Sequence, residues 1–336
     1  MNEKNKNYLL LHFIILLGSF VPTMVSWIEV LNAVKLVFFR CFIALIILAA
    51  IVFFRKHKIK VPKDQLRVLI LSGCLMATYW VLLVVATQVS NASVTLVGVA
   101  TSPIWVTFIL PFFNGGRPDF YQFMTGLNAV FGIYMIASNN FDYEAGMIVA
   151  IVAAFVGALL TVVNARFVKT HHHTVVTFYQ MIGAFIFMTI CLPFYSSYMG
   201  ESISFSDAPI SDFFIAAAMA YLFSVFAYSL LIAVMKKISA FTVTLSNNLS
   251  PIYGILIALV LSSKNEQMNI YFYSGATIIV ASVIAFPVVQ LFFKEMPSKG
   301  VKTVKKKKVS KEIEAIRKAI EDEERERERQ NRDNLN

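Results

Sequence analysis

Charge is scarce in this sequence. Of 336 residues only 15% are Asp, Glu, Lys or Arg, whereas 57% are hydrophobic and the mean hydropathy is +0.67. Such a composition is too apolar for a water-soluble globule and far too apolar for a disordered chain. Cysteine is scarce as well. Cys41, Cys74 and Cys191 each lie inside an apolar run with no C-x-x-C pair, which excludes a disulfide framework. No Walker A sequence occurs, so the chain does not hydrolyse ATP. The apolar runs also lack paired carboxylates, zinc-spaced histidines and a nucleophile elbow. No catalytic residue, metal or cofactor is expected, and the chain does not read as an enzyme. Three adjacent imidazoles, His171 to His173, cannot converge on one metal from a regular helix and read as a solvated loop.

What the sequence has instead is a succession of long apolar stretches. A membrane-spanning helix needs about 20 mostly apolar residues. Breaks in hydropathy divide the chain into spans near 8–27, 31–54, 66–87, 93–113, 120–138, 147–167, 174–195, 213–235, 240–261 and 270–293. The runs are continuously apolar rather than alternating, which selects helices over barrel strands. Met1 to Asn7 resembles the start of a signal sequence, but the apolar part that follows is too long and has no A-x-A site, so it reads as an uncleaved first span. The expected fold is an all-α integral membrane protein of ten transmembrane helices.

The loops alternate in charge. One set carries Lys4, Lys6, Arg55, Lys56, Lys58, Lys60, Lys63, Arg67, Arg117, Arg166, Lys169, Lys236 and Lys237; the other carries Glu29, Asp142, Glu144, Glu201, Asp207, Asp212 and Glu266. Lys264 and Lys35 are the basic exceptions. The positive-inside rule then places both termini in the cytoplasm. The excess of Lys and Arg, 30 against 20 acids, reflects this bias and attraction to anionic lipid rather than nucleic-acid binding.

Ten spans divide into five and five, and an odd number of crossings per half forces any internal repeat to run upside down in the membrane. A repeat is present. A slide of 148 residues superposes Leu82, Leu83, Ala92, Ser102, Pro103, Ile104 and Ile109 on Leu230, Leu231, Ala240, Ser250, Pro251, Ile252 and Ile257. A weaker slide of 140 residues pairs Phe38, Arg40, Ala44 and Ile46 with Phe178, Gln180, Ala184 and Ile186. The expected units are a first five-helix repeat over 1–138, a second over 139–298 and a charged cytoplasmic tail over 299–336.

The pattern resembles the EamA-like family of the drug/metabolite transporter superfamily, as it occurs in bacterial inner membranes. The resemblance covers residues 8 to 293. It is carried by Leu31-Asn32-Ala33-Val34 leading to Arg40, by Val89-Ser90-Asn91-Ala92-Ser93-Val94-Thr95-Leu96, and by Phe178-Tyr179-Gln180-Met181-Ile182-Gly183. Thr242-Val243-Thr244-Leu245 and Asn248-Leu249-Ser250-Pro251-Ile252-Tyr253-Gly254 complete it. The resemblance implies an inverted-repeat carrier, usually an exporter of amino acids or other small metabolites, with a central cavity between the halves. Relatives often place a carboxylate beside the proline of the ninth span and another in the seventh; here those positions are Ser250 and Gln180.

Polar groups inside the bilayer are costly and point to function. Arg40 reads either as an anchor for a substrate carboxylate or as a structural arginine tied to carbonyls. Asn247 and Asn248 precede Pro251, which removes a backbone donor and frees a carbonyl one turn back. Pro103 and Pro251 form a corresponding pair of helix kinks, a pointer to a transporter's binding site. Tyr79, Trp80, Trp105, Tyr228 and Tyr253 cluster around the matched spans, as cavity lining or as packing. Asn164 and His12 are further candidates for polar contacts.

The tail opens with Lys305, Lys306, Lys307 and Lys308, a match for anionic lipid headgroups. Ile313, Ile316 and Ile320 then recur at helical spacing within a charged stretch. The expected partners are a small-molecule substrate and the bilayer, with no nucleic acid, in a monomer or homodimer. Two functions remain open from sequence: a secondary transporter working by alternating access, and a membrane-embedded sensor or scaffold that signals through the tail.

Overall fold

A computed structural model describes residues 3–90, 92–137, 144–200, 204–250, 252–253 and 270–295. Every described regular element is helical. They are α1 (Glu3–Gly18), α2 (Val21–Ser26), α3 (Ala33–Phe54), α4 (Lys63–Val89), α5 (Ala92–Val99), α6 (Ser102–Asn114), α7 (Phe120–Ala137), α8 (Glu144–Phe167) and α9 (His173–Met199). Then come α10 (Ile210–Met219), a π-helical segment Ala220–Ala227, α11 (Tyr228–Val234), α12 (Ala240–Asn247) and α13 (Ile270–Glu295). Contacts divide the chain into one unit from Met1 to Pro287 and a second from Val288 to Asn336. Of the second, only the end of α13 is described. Pro251 and the lysine cluster of the tail lie outside the described residues.

Five helical stretches are long and apolar enough to cross a bilayer: Ala33–Phe54, Lys63–Val89, Ala145–Phe167, His173–Met199 and Ile210–Val234. Their surfaces carry large apolar side chains in the open, among them Phe53, Leu71, Phe194 and Phe214. In water such exposure would be a liability, whereas facing lipid it costs nothing.

Three stretches expected as single spans are broken. The first is interrupted at Ser19-Phe20, where Pro22 opens α2, and the fourth divides into α5 and α6 at Ala100-Thr101. Pro103 sits in the first turn of α6, where a missing N–H leaves no bond unmade, so the helix restarts before the proline instead of kinking at it. The carbonyls freed by the break are taken up by hydroxyls. Thr101 Oγ1 donates to Gly98 O at 2.7 Å and Ser102 Oγ to Val99 O at 2.6 Å. The ninth stretch breaks in the same register: α12 ends at Asn247, and a turn over Asn248-Leu249 precedes Ser250.

The repeat seen in sequence governs the packing. α3 and α9 begin 140 residues apart, and α5 and α12 begin 148 apart. α3 lies against α9, its repeat mate, and α6 of the fourth stretch lies against α12 of the ninth, so corresponding stretches meet. α4 lies against α9, while α3 lies against α10 and the π-helical segment. Helix pairs of the two halves are therefore exchanged reciprocally. Trp80 meets Tyr228, its own repeat mate, and Asn248 donates to the carbonyl of Ala100, again its own mate 148 residues away.

α4 and α9 approach so closely that their backbones touch. A methyl group added to Gly73 would collide with the carbonyl of Gln180, and one added to Gly183 with the carbonyl of Ile70. Small residues at such crossings are the usual means by which helices pack in lipid. At the basic end of the bundle, His57 stacks on His172 with ring centroids 4.4 Å apart. His172 is no bystander in a loop: its Nδ1 accepts the Thr174 amide at 3.3 Å and caps α9.

Two outcomes follow from this packing. Gly183→Ala should destabilise the bundle by about 1–3 kcal/mol, the usual cost of overpacking, read as a lower melting temperature in detergent. Loss of water from the ring, with the charges of His57 and Lys236 acting in the same direction, holds the His172 pKa below its ordinary 6.5. The fold thus favours the neutral, accepting ring: its contribution is complete above 6.5 and is lost as the pH falls through the lower folded value. The melting temperature should decline on acidification through that window, and His172→Asn should flatten the decline.

Candidate functional site

Gln180, 0% exposed on α9, is the centre of a buried polar cluster. Its Nε2 donates to Ser72 Oγ on α4 at 2.9 Å and to Asn164 Oδ1 on α8 at 2.6 Å. Asn164 Nδ2 donates to the Tyr228 hydroxyl at 2.8 Å, which donates to Gln180 Oε1 at 3.1 Å, closing a ring of three side chains from α8, α9 and α11. Ser72 passes its own proton to Leu69 O at 2.8 Å. In a low-dielectric interior a network satisfied in this way rigidifies its helices, and any member left unpaired is expensive.

Arg40 on α3 is 5% exposed and has been joined to the same cluster through aromatic rings. Its Cζ lies 4.2 Å from the centroid of the Trp80 ring, a cation–π contact. Trp80 in turn meets Tyr228 edge to face, with centroids 6.0 Å apart and planes at 76°. Arg40 Nε donates to Ser224 Oγ at 2.6 Å, on the π-helical segment. The wide turns of such a segment displace side chains from α-helical register and recur at functional sites. The two terminal amino groups of Arg40 find no protein acceptor among the described residues, and no carboxylate pairs with it there.

The structure thus brings five of the expected residues into one chain of contacts. Arg40, Trp80, Tyr228, Asn164 and Gln180 touch in succession. Tyr79 borders them, its ring against the bare backbone of Gly157 on α8, where an added Cβ would lie 2.8 Å from Cε2. Four expected residues stand elsewhere. Trp105 donates Nε1 to Thr101 Oγ1 at 3.2 Å and packs edge to face on Phe155. Asn248 is buried at the paired helix breaks, whereas its neighbour Asn247 is exposed and near Ser250 Oγ at 3.5 Å. A step of about 100° per residue turns adjacent side chains to different faces. Tyr253 bonds His12 on α1, its hydroxyl 2.8 Å from Nδ1.

Sequence reasoning missed Ser72 and Ser224, because serine is common in membrane helices, and it misplaced Asp212. Read as a loop acid, Asp212 is 0% exposed in the first turn of α10. Its carboxylate accepts the amides of Glu29, Val30 and Leu31 at 3.1, 3.0 and 3.1 Å, tying the approach to α3 onto the second half. A slide of 148 residues carries Asp64 onto Asp212, so the repeat held the clue. Asp64 occupies the first turn of α4, yet it is exposed. The amides of Lys169, Thr170 and His171, which correspond to those Asp212 holds, bond instead to the last carbonyls of α8. Among the described residues no group of His, Cys, Asp and Glu side chains is arranged to hold a metal.

Comparison with known proteins bears on this arrangement directly. The model of the EamA-like transporter family matches residues 6–138 and again 144–286. The chain belongs to the EamA-like transporter family. Two copies of the family's repeat occupy nearly all of the helical body, and the protein is a multi-pass membrane transporter. It is 24% identical over 263 residues to "Uncharacterized transporter YdfC" of Bacillus subtilis (strain 168), covering 77% of this chain and 84% of that one. A solved structure described as "Crystal structure of protein" superposes with a TM-score of 0.66 at 14% identity, over 85% of this chain and 97% of the other, a likeness of fold.

The Asp212 tie is testable by stability. Asp212→Ala strands three amide donors at once and should cost about 3 kcal/mol, with a clear fall in melting temperature. Asp212→Asn, which keeps an acceptor oxygen, should recover part of the loss. Equal stability of wild type and Asp212→Ala would remove the tie from the list of structural supports.

Proposed function

We propose that this EamA-like transporter is a secondary carrier that exports small metabolites, amino acids or related compounds. It works by alternating access of two inverted five-helix halves, residues 1–138 and 139–298, around the chain of contacts from Arg40 to Gln180. The reading places ten spans in a bacterial inner membrane with both termini in the cytoplasm.

One observation carries the proposal: the reciprocal packing of the halves. Contact of α3 with α10 and of α4 with α9, together with contacts between repeat mates at Trp80–Tyr228 and Ala100–Asn248, is the pattern of a twofold axis. A twofold axis between halves of odd crossing number lies in the membrane plane, and transporter sites form at such seams. Arg40 and Gln180, also repeat mates, both belong to the contact chain along the seam.

The halves are equivalent in sequence pattern but not in state, which supports alternation. Asp212 holds its three amides at the acidic end, whereas Asp64 is exposed at the basic end and holds none of the corresponding ones. A structure closed at one end and unlatched at the other is one of two states that a pseudosymmetric carrier exchanges.

Single cysteines placed beside Asp64 and beside Asp212, in protein freed of its native thiols, would report the exchange. In vesicles the basic-end site should label rapidly and the acidic-end site slowly, and a transported solute should shift the two rates in opposite directions. Parallel changes at both ends would contradict alternation. In the same vesicles Arg40→Ala should lower transport at least about tenfold while folded protein is retained, the loss expected of one charge-assisted contact.

A further inference from the structure

We infer that the solute held at Arg40 is an organic anion of net charge −1 without an ammonium group, and that the inside-negative membrane potential alone drives its export. The inference rests on the carrier reading above, narrows its cargo from amino acids and related compounds to the related compounds that lack an ammonium group, and names its energy source.

The charge inventory around the site leads to the first part. Arg40 is buried, its terminal amino groups have no protein acceptor among the described residues, and its remaining contacts, Ser224 and the face of Trp80, are neutral. The five spanning helices contain three acids, Asp64, Glu144 and Asp212, each in a first turn, and Glu144 opens α8 about 30 Å along the helix from Asn164. Measured along the helices, Asp212 lies about 15 Å or more from Ser224, and Asp64 about 24 Å from Trp80. Asp212 is in addition saturated by three amides. A carboxylate bound at Arg40 completes a bidentate pair and cancels the buried charge. A zwitterion brings an ammonium that finds no acid there among the described residues, and the Trp80 face is already covered by the guanidinium. The site therefore distinguishes an oxo acid from the amino acid of the same skeleton.

The second part follows from what the cluster can titrate. A carrier that couples to protons needs a group that gains and loses one at the site. Around Arg40 the described neighbours are Ser224, Trp80, Tyr79, Tyr228 and the buried thiol of Cys41, with Asn164, Gln180 and Ser72 behind them, none of which exchanges a proton near neutral pH. His12 on α1, a helix that packs on the π-helical segment and α11, bonds Tyr253 and no member of this chain of contacts. An anion needs no coupling ion to leave a cell: the potential acts on its charge directly, and 100 mV sustains about a fiftyfold gradient of a monoanion.

The test uses the full chain in proteoliposomes with matched solutes: phenylpyruvate against phenylalanine, and pyruvate against alanine. A potential is imposed by a potassium gradient and valinomycin. Expected is efflux of the oxo acids that follows the imposed potential, approaches the fiftyfold ratio at 100 mV and ignores an imposed pH gradient, with the amino acids at least tenfold slower. Arg40→Lys should keep the potential dependence, and Arg40→Gln should lose the preference for oxo acids while still reconstituting as folded protein. Amino acids moving as fast as oxo acids, or flux that follows pH rather than potential, overturns the inference and leaves the carrier reading standing. Movement confined to neutral or cationic solutes of a wider panel does the same. If nothing in any panel moves, the carrier reading itself fails, and the inference with it.

Discussion

The close crossing of α4 and α9 is the constraint on which the site depends. Gly73 and Gly183 let two backbones meet where any side chain would hold them apart. At that separation Gln180 reaches Ser72, and the same face of α4 carries Trp80 to Tyr228 two turns further along. Lipid supplies no hydrophobic force between helices, so close packing and side-chain hydrogen bonds must hold them together. Here both act at one crossing. The glycines make the hydrogen bonds geometrically possible, and the bonds make the crossing specific.

Two buried charges are treated in opposite ways, and the contrast separates support from function. Asp212 is saturated: three backbone amides converge on its two oxygens, in a first turn where the helix dipole also favours negative charge. Arg40 is left incomplete among the described residues, with one nitrogen bonded, its plane against Trp80 and the rest of its fork unused there. A purely structural arginine at this depth would be expected to spend all its donors on carbonyls, since each unused one is costly away from water. The incomplete fork is what a binding group looks like before its ligand arrives.

Much of this was legible in the sequence because a polar or aromatic residue inside an apolar run stands out. Arg40, Trp80, Asn164, Gln180 and Tyr228 were visible for that reason, and the structure joins them. The helix breaks were anticipated from Pro103 and Pro251, but the 148-residue register gave their place more closely than the prolines did, since a proline in a first turn need not kink anything. Other features were hidden for physical reasons. Serine is indifferent to lipid or protein, so Ser72 and Ser224 acquire meaning only from partners far away in sequence. Asp212 fell outside the hydropathy boundary of its span, and a boundary says nothing about which amides a carboxylate will meet. Asn247 and Asn248 looked like a pair, yet adjacent positions on a helix face different ways, and only Asn248 reaches the facing break.

The divergence of the two halves has a direction. A duplicated unit folded about a twofold axis would present identical groups from both sides, and two arginines at the positions of Arg40 and Gln180 would repel across a short distance in a poor dielectric. The chain keeps a single cation and has a neutral amide at the mate position, joined to it through Trp80 and Tyr228. Trp80 likewise faces Tyr228, whose hydroxyl joins the amide ring while the indole supports the guanidinium. On the proposed reading, one side of the seam serves as an anion anchor and the other is a hydrogen-bonded wall. A small carboxylate is itself polar at one end and apolar at the other, so an asymmetric seam can orient it where a symmetric one would bind it in two ways.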